Sequence, residues 1–156
     1  MRNLAVAPAL HALRNLQALG YGYSHFHGHS MTALGPAIAA LTALTRLEMA
    51  DNLMGAEGGA VVASAVMQLT RLNLARNRCG AQGAAALPPA IARLTGLRQL
   101  TLSHNRLGLA AAFLLILVIR PLECIESLGL GQRLWKEAGL PAGIDVGSDD
   151  SEEEIL

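Results

Sequence analysis

Residues 69–77 read LTRLNLARN, and residues 94–105 read LTGLRQLTLSHN. Laying Asn77 on Asn105 brings Leu69, Leu72 and Leu74 onto Leu97, Leu100 and Leu102. The match continues downstream. Cys79, Gly80, Gly83, Leu87, Ile91 and Leu94 fall on Leu107, Gly108, Ala111, Leu115, Ile119 and Leu122. The same template set on Asn52 takes in Leu44, Leu47, Met49, Met54, Gly55, Gly58, Val62, Val66 and Leu69. Set on Ser24, it takes in Leu16, Leu19, Tyr21, Phe26, Leu34, Ile38 and Leu41, and one step further back it meets Val6, Leu10 and Leu13. Forward of Asn105, Ile125, Leu128, Leu130 and Trp135 fit around Arg133, which stands where the Asn should be. The origins 24, 52, 77, 105 and 133 are spaced 28, 25, 28 and 28 residues apart. The short interval places a loss of three residues near Gln68-Leu69, where Leu69 fills two slots.

Each unit changes period along its length. Leu72 and Leu74 alternate as in a short strand with one face turned inward, whereas Leu87, Ile91 and Leu94 follow the three-or-four spacing of a helix face. One such unit buries too little apolar surface to offset the entropy of ordering its chain, so the units must stack. The pattern LxxLxLxxN, then xGxxGAxxL, at a 28-residue period resembles the leucine-rich repeat, in the variety typified by ribonuclease inhibitor. That resemblance covers roughly residues 4–140 and implies an α/β solenoid, curved, with short parallel strands on the concave face and helices on the convex face. The expected domain is residues 1–144, about five repeats with origins at Ser24, Asn52, Asn77, Asn105 and Arg133.

Within this frame the asparagines have a structural task. Their amides both donate and accept, so a buried Asn can satisfy backbone groups of its own turn and of the next, which Ser24 imitates weakly and Arg133 cannot. Glycines at 55, 58, 80 and 83 permit tight turns and close helix approach, and no GxxxxGK[ST] loop is present. Gly35-Pro36 and Pro88-Pro89 should kink or restart two helices, because proline removes a hydrogen bond and clashes with the preceding turn. Residues 107–119, LGLAAAFLLILVI, have no breaker and no charge, yet thirteen residues are too few to span a bilayer. Leu115 and Ile119 are its inward slots, so Phe113, Ile116 and Leu117 should lie partly on the convex surface and could support self-association.

The balance of twelve basic and twelve acidic residues hides a split. All twelve basic residues but only six acids precede Asp145, leaving the body near +6. The other six acids fall in residues 145–154, part of a tail, 145–156, expected to be disordered; its Ser151 precedes three Glu in the manner of an acidophilic kinase site. Arg2 and the LAVAPAL that follows at residues 4–10 faintly resemble a leader, but Val6 and Leu10 are already in register with the repeat. Cys79 and Cys124 form no CxxC pair and read as structural thiols of a protein in a reducing, cytoplasmic interior.

Catalytic chemistry finds little purchase. His25, His27 and His29 alternate, but no Cys or acid stands near them, and they read as surface histidines; HExxH is absent. No cofactor or metal is expected, and the chain is read as a non-enzyme. The concave face carries the functional expectation. Residues flanking the inward leucines should present Tyr23, Arg46, Glu48, Asp51, Arg71, Asn73, Arg76, Gln99, Thr101 and His104 in rows ~4.8 Å apart, together with Ala18, Gly20, Ser127, Gly129 and Gln132. Such a platform suits a protein partner with Arg as anchor. Nucleic acid is disfavoured, since the basic residues are not interleaved with aromatics. The resemblance extends to Ran GTPase-activating proteins, which pair such repeats with an acidic tail. It therefore implies a rival role in small-GTPase regulation, with Arg76 and Arg78 as the nearest candidate residues.

Overall fold

The structure, a computed structural model, describes Leu10 and residues 13–131. The origin at Arg133, Gln132, Trp135, the tail with Ser151 and the leader-like residues 1–9 lie outside the described residues.

Strands and helices alternate: β1 (Ala18–Gly20), α1 (Gly28–Ala39), β2 (Arg46–Glu48), α2 (Gly55–Ala65), β3 (Arg71–Asn73), α3 (Gly80–Ile91), β4 (Gln99–Thr101), α4 (Gly108–Ile119) and β5 (Ser127–Gly129). The strands form one parallel sheet in chain order. Its register lines up Leu19, Leu47, Leu72, Leu100 and Leu128, the leucines that the repeat places in one slot. Each helix packs on the next. Paired strands stand ~4.8 Å apart while packed helices need 8–10 Å, so the array must curve with the sheet inside. This is the leucine-rich-repeat solenoid expected from the sequence.

The core is the template made solid. Leu47, Met49, Met54, Val62, Val66 and Leu69 of one unit, and Leu100, Leu102, Leu107, Leu115 and Ile119 of another, are all buried. Leu69 is buried although it serves two units, and the Gln68 amide donates to the Leu41 carbonyl at 2.9 Å across the shortened return. Leu13 departs from its slot and is 47% exposed; no preceding turn covers it among the described residues.

The restart expected at the prolines does not occur. Pro36 lies inside α1 and Pro88-Pro89 inside α3, both in the closing part of the helix. There few hydrogen bonds remain to be lost, and the next turn is still closed by Ala40 N–H on the Pro36 carbonyl and Ala92 N–H on that of Pro88.

Asn52, Asn77 and Asn105 are buried and form a ladder along the ends of the strands. The Asn105 amide nitrogen donates to the carbonyls of Leu74, Leu102 and Ser103, and its Oδ1 accepts the backbone N–H groups of Asn77 and Cys79. Asn52 does the same for Tyr21, Met49 and Ala50 and for Ser24 and Phe26. Asn77 donates to Met49, Leu74 and Ala75, but its Oδ1 has no partner. The difference follows the residue after each preceding origin. His25 and Arg78 adopt left-handed backbone (φ 53° and 57°), and there the rung closes, whereas Leu53 is absent from the left-handed set and the rung stays open.

Candidate functional site

The sheet face exposes two rows. One runs Ala18, Arg46, Arg71, Gln99, Ser127 and the other Gly20, Glu48, Asn73, Thr101, Gly129, as the strand register dictates. The rows are not equivalent. Gly129 is buried, since a Cβ there would lie 3.1 Å from Thr101 Cγ2, and Asn73 Oδ1 is taken by Ala75 N–H at 3.0 Å. Gln99 and Thr101 are half-buried, while Arg46 and Arg71 are exposed. These two arginines are direct register partners on β2 and β3, and among the described residues neither joins an ion pair. Like charges paired across strands disfavour the sheet, so the pair does not serve as a structural contact.

Beyond the strand ends lies a third row: Tyr23, Asp51, Arg76 and His104, each just before its origin residue and each with φ between 54° and 56°. Tyr23 is 77% exposed. Arg76 Nη1 stands 3.9 Å from Asp51 Oδ1, a loose surface contact. The ten expected platform residues thus share one side of the sheet but divide into an exposed arginine pair, a half-buried polar field and a rim of turns. The sequence reading missed the backbone state of that rim, where side-chain-bearing residues occupy a region costing roughly 1–2 kcal/mol each. Its trace in the sequence is only positional, the residue immediately before each origin. It also left out Arg106, which follows Asn105 with φ 55° and is exposed.

The remaining candidates separate. The histidines are exposed, as expected: His25 is left-handed, His27 occupies the N-cap position of α1 without a side-chain capping bond and His29 lies within the helix. The rings of His27 and His29 stack at 5.7 Å, and among the described residues no three His, Cys, Asp or Glu side chains group as metal ligands. Cys79 is buried in its leucine slot, and burial pushes its thiol up to about 11. Cys124 is exposed, which corrects its reading as a structural thiol: the residue precedes Ile125 in the return to β5 and falls outside every inward slot.

Among the described residues α4 is the last helix of the layer. Gly28, Thr32 and Gly35 of α1 face α2: a Cβ on Gly28 would lie 2.9 Å from the Met54 carbonyl oxygen, one on Gly35 2.8 Å from Val61 Cγ1, and Thr32 Oγ1 donates to Glu57 at 3.3 Å. The equivalent residues are Ala56, Ala60 and Ala63 in α2, and Ala81, Ala85 and Pro88 in α3. In α4 they are Leu109, Phe113 and Ile116. Phe113 is 51% and Leu117 65% exposed, Leu109 and Leu114 are exposed too, and Ile116 is only half-buried, so the apolar patch is wider than the sequence placed it. Among the described residues no helix is long and apolar enough to cross a membrane.

No family model and no curated protein matches the chain. Solved structures do. The chain is similar to the tropomodulin C-terminal domain of Caenorhabditis elegans at a TM-score of 0.69 and 13% identity, over 89% of this chain and 90% of that one. It is also similar to actin-binding site 2 of leiomodin-1, at a TM-score of 0.68 and 15% identity, over 83% of this chain and 78% of that one. At these identities the likeness shows the fold alone. It corrects the narrower resemblance to the ribonuclease-inhibitor variety, for the similar structures are a tropomodulin and a leiomodin domain. The physical reason is that a 28-residue period reports the size of a strand-plus-helix unit, which several leucine-rich-repeat lineages share.

Proposed function

We propose that the chain is a protein-recognition module, not an enzyme, and that it takes its partner on the sheet face with Arg46 and Arg71 as anchors. The observation that carries this reading is their side-by-side placement with no ion pair among the described residues, at a spacing where planar guanidiniums can each grip a carboxylate. Glu48, Asn73, Gln99 and Thr101 supply the surrounding polar field, and Tyr23, Asp51, Arg76 and His104 supply the rim. The similarity to a leiomodin-1 actin-binding site supports a protein as the ligand class and makes actin a sensible first probe. Small-GTPase regulation through Arg76 or Arg78 has less behind it, because Arg76 is drawn toward Asp51. The test is affinity capture with the native chain beside an Arg46→Glu/Arg71→Glu variant of unchanged circular dichroism. A partner held by the first should be lost by the second, with about a tenfold or greater weakening expected for the loss of charge-assisted hydrogen bonds. Equal retention by both would place the binding surface elsewhere.

A second reading has its own observation. The α4 face carries Leu109, Phe113 and Ile116 where the other helices carry mostly Gly and Ala, with Thr32 and Pro88, so it presents more apolar side chain than the faces that stack. Such a face suits contact between two copies of the chain. Light scattering should give a dimer mass for the native chain and a monomer for Phe113→Asp/Leu117→Asp. A native monomer would rule the reading out.

A further inference from the structure

The turns after β3 and β4 gather positive charge in a way that the sheet-face reading does not use. Arg76 and Arg78 bracket Asn77, His104 and Arg106 bracket Asn105, and all four are left-handed with φ between 55° and 57°. In the turn after β2 the same two places hold Asp51 and Leu53. The two basic turns are stitched together: Arg76 N–H donates to the Ser103 carbonyl at 2.9 Å, Asn77 N–H to Asn105 Oδ1 at 2.9 Å and Gly80 N–H to the Asn105 carbonyl at 2.8 Å. Arg78 and Arg106 therefore sit at equivalent points of adjacent turns, about one strand spacing apart, ~4.8 Å. Both are exposed, and among the described residues neither joins an ion pair. Asp51, the acid on this rim, is directed at Arg76.

We propose that this turn edge binds an acidic helical segment of a partner protein, with carboxylates three or four residues apart on one helix face engaging Arg78 and Arg106. The match is one of spacing. Residues three or four apart on a helix surface lie ~5–6 Å from each other, close to the separation of neighbouring turns. Same-side residues of an extended peptide lie ~6.6–6.8 Å apart and fall out of step. Guanidinium groups favour planar carboxylates, and neither turn carries a Phe, Tyr or Trp on which a nucleic-acid base could stack. Backbone hydrogen bonds between the turns hold the two backbones in place before any ligand arrives, so the ordering left on binding is that of the arginine side chains. Arg46 and Arg71 begin their strands whereas this edge follows the strand ends, so either surface can fail without the other.

The test uses the full chain and two Ala-rich peptides of identical composition, one with Glu pairs at i and i+4 and one with Glu at i and i+2, titrated by fluorescence anisotropy at about 0.1 M ionic strength, where the Debye length is ~10 Å. Arg78→Asn/Arg106→Asn removes the charge while keeping residue types that accept left-handed backbone. It should bind the first peptide about tenfold more weakly than the native chain, as expected for losing charge-assisted contacts. Arg93→Asn/Arg120→Asn, an equal charge change in the returns that follow α3 and α4, should stay within about twofold, because exposed charges beyond a Debye length are screened. The i,i+2 peptide should bind several-fold less tightly than its partner. Equal binding by the Arg78/Arg106 variant and the native chain, equal losses in both variants, or equal affinity for both peptides would each overturn the proposal. So would a tenfold gain in peptide affinity on neutralising Asp149, Asp150, Glu152, Glu153 and Glu154, which would assign the edge to the chain's own acidic residues.

Discussion

Replacing Asn105 by Ala is expected to lower the unfolding free energy by about 3–5 kcal/mol, as when two of the five backbone groups it satisfies stay bare at ~1–3 kcal/mol each and the others find new partners. The side chain satisfies three carbonyls and two N–H groups in two consecutive turns, and Asn105 is 1% exposed, so no water takes its place in the intact fold. Ala leaves all five backbone groups to find other partners or none. Asn77→Ala should do less harm by about 1 kcal/mol or more, because Asn77 Oδ1 already accepts nothing and only its donor side is lost. Urea unfolding followed by circular dichroism checks both, and equal losses would show that the closed rung adds nothing. Total stabilities of ~5–15 kcal/mol make either change large.

Leu72→Ala is expected to cost about 3–4 kcal/mol, within the range for deleting a leucine side chain from a packed interior. Leu72 is the middle rung of the leucine ladder, with Leu47 and Leu100 in register on either side, all of them buried. A cavity there cannot collapse without moving both neighbouring units. Leu19→Ala removes the same atoms from β1, an edge strand among the described residues, where the side chain is only half-buried, and should cost about 1 kcal/mol. The comparison of the two midpoints reads out stacking itself. If both variants lost the same, the units would be folding independently, contrary to the dependence of each repeat on its neighbours.

The fold was open to the sequence because its determinants recur. Leucines at 47, 72 and 100 occupy one slot whatever surrounds them, and the inward period is set by backbone geometry that every unit shares. Even the three-residue loss before Leu69 shows as a broken interval. The site was open only in outline. Which side of the sheet Arg46 and Arg71 face follows from alternation, but that Asn73 is occupied by its own turn and Gly129 is buried under Thr101 depends on contacts between units. The proline restart failed for a related reason: position along the helix, rather than residue type, sets what a proline removes. The exposed α4 patch was under-read because Leu109 and Leu114 look inward or outward only once a neighbour's place is known.

The amino-acid order alone thus determined the repeat, its register, the inward leucines and the buried role of the asparagines, since each arises from local periodicity and from the bonding capacity of a single side chain. Only the tertiary structure decided which rung stays open at Asn77 Oδ1, which arginines join no ion pair among the described residues, and where the small residues that allow helices to stack give way to Leu109, Phe113 and Ile116. Those properties belong to pairs of neighbouring units. They depend on distances between groups about 28 residues apart in the chain, which periodicity names but cannot measure.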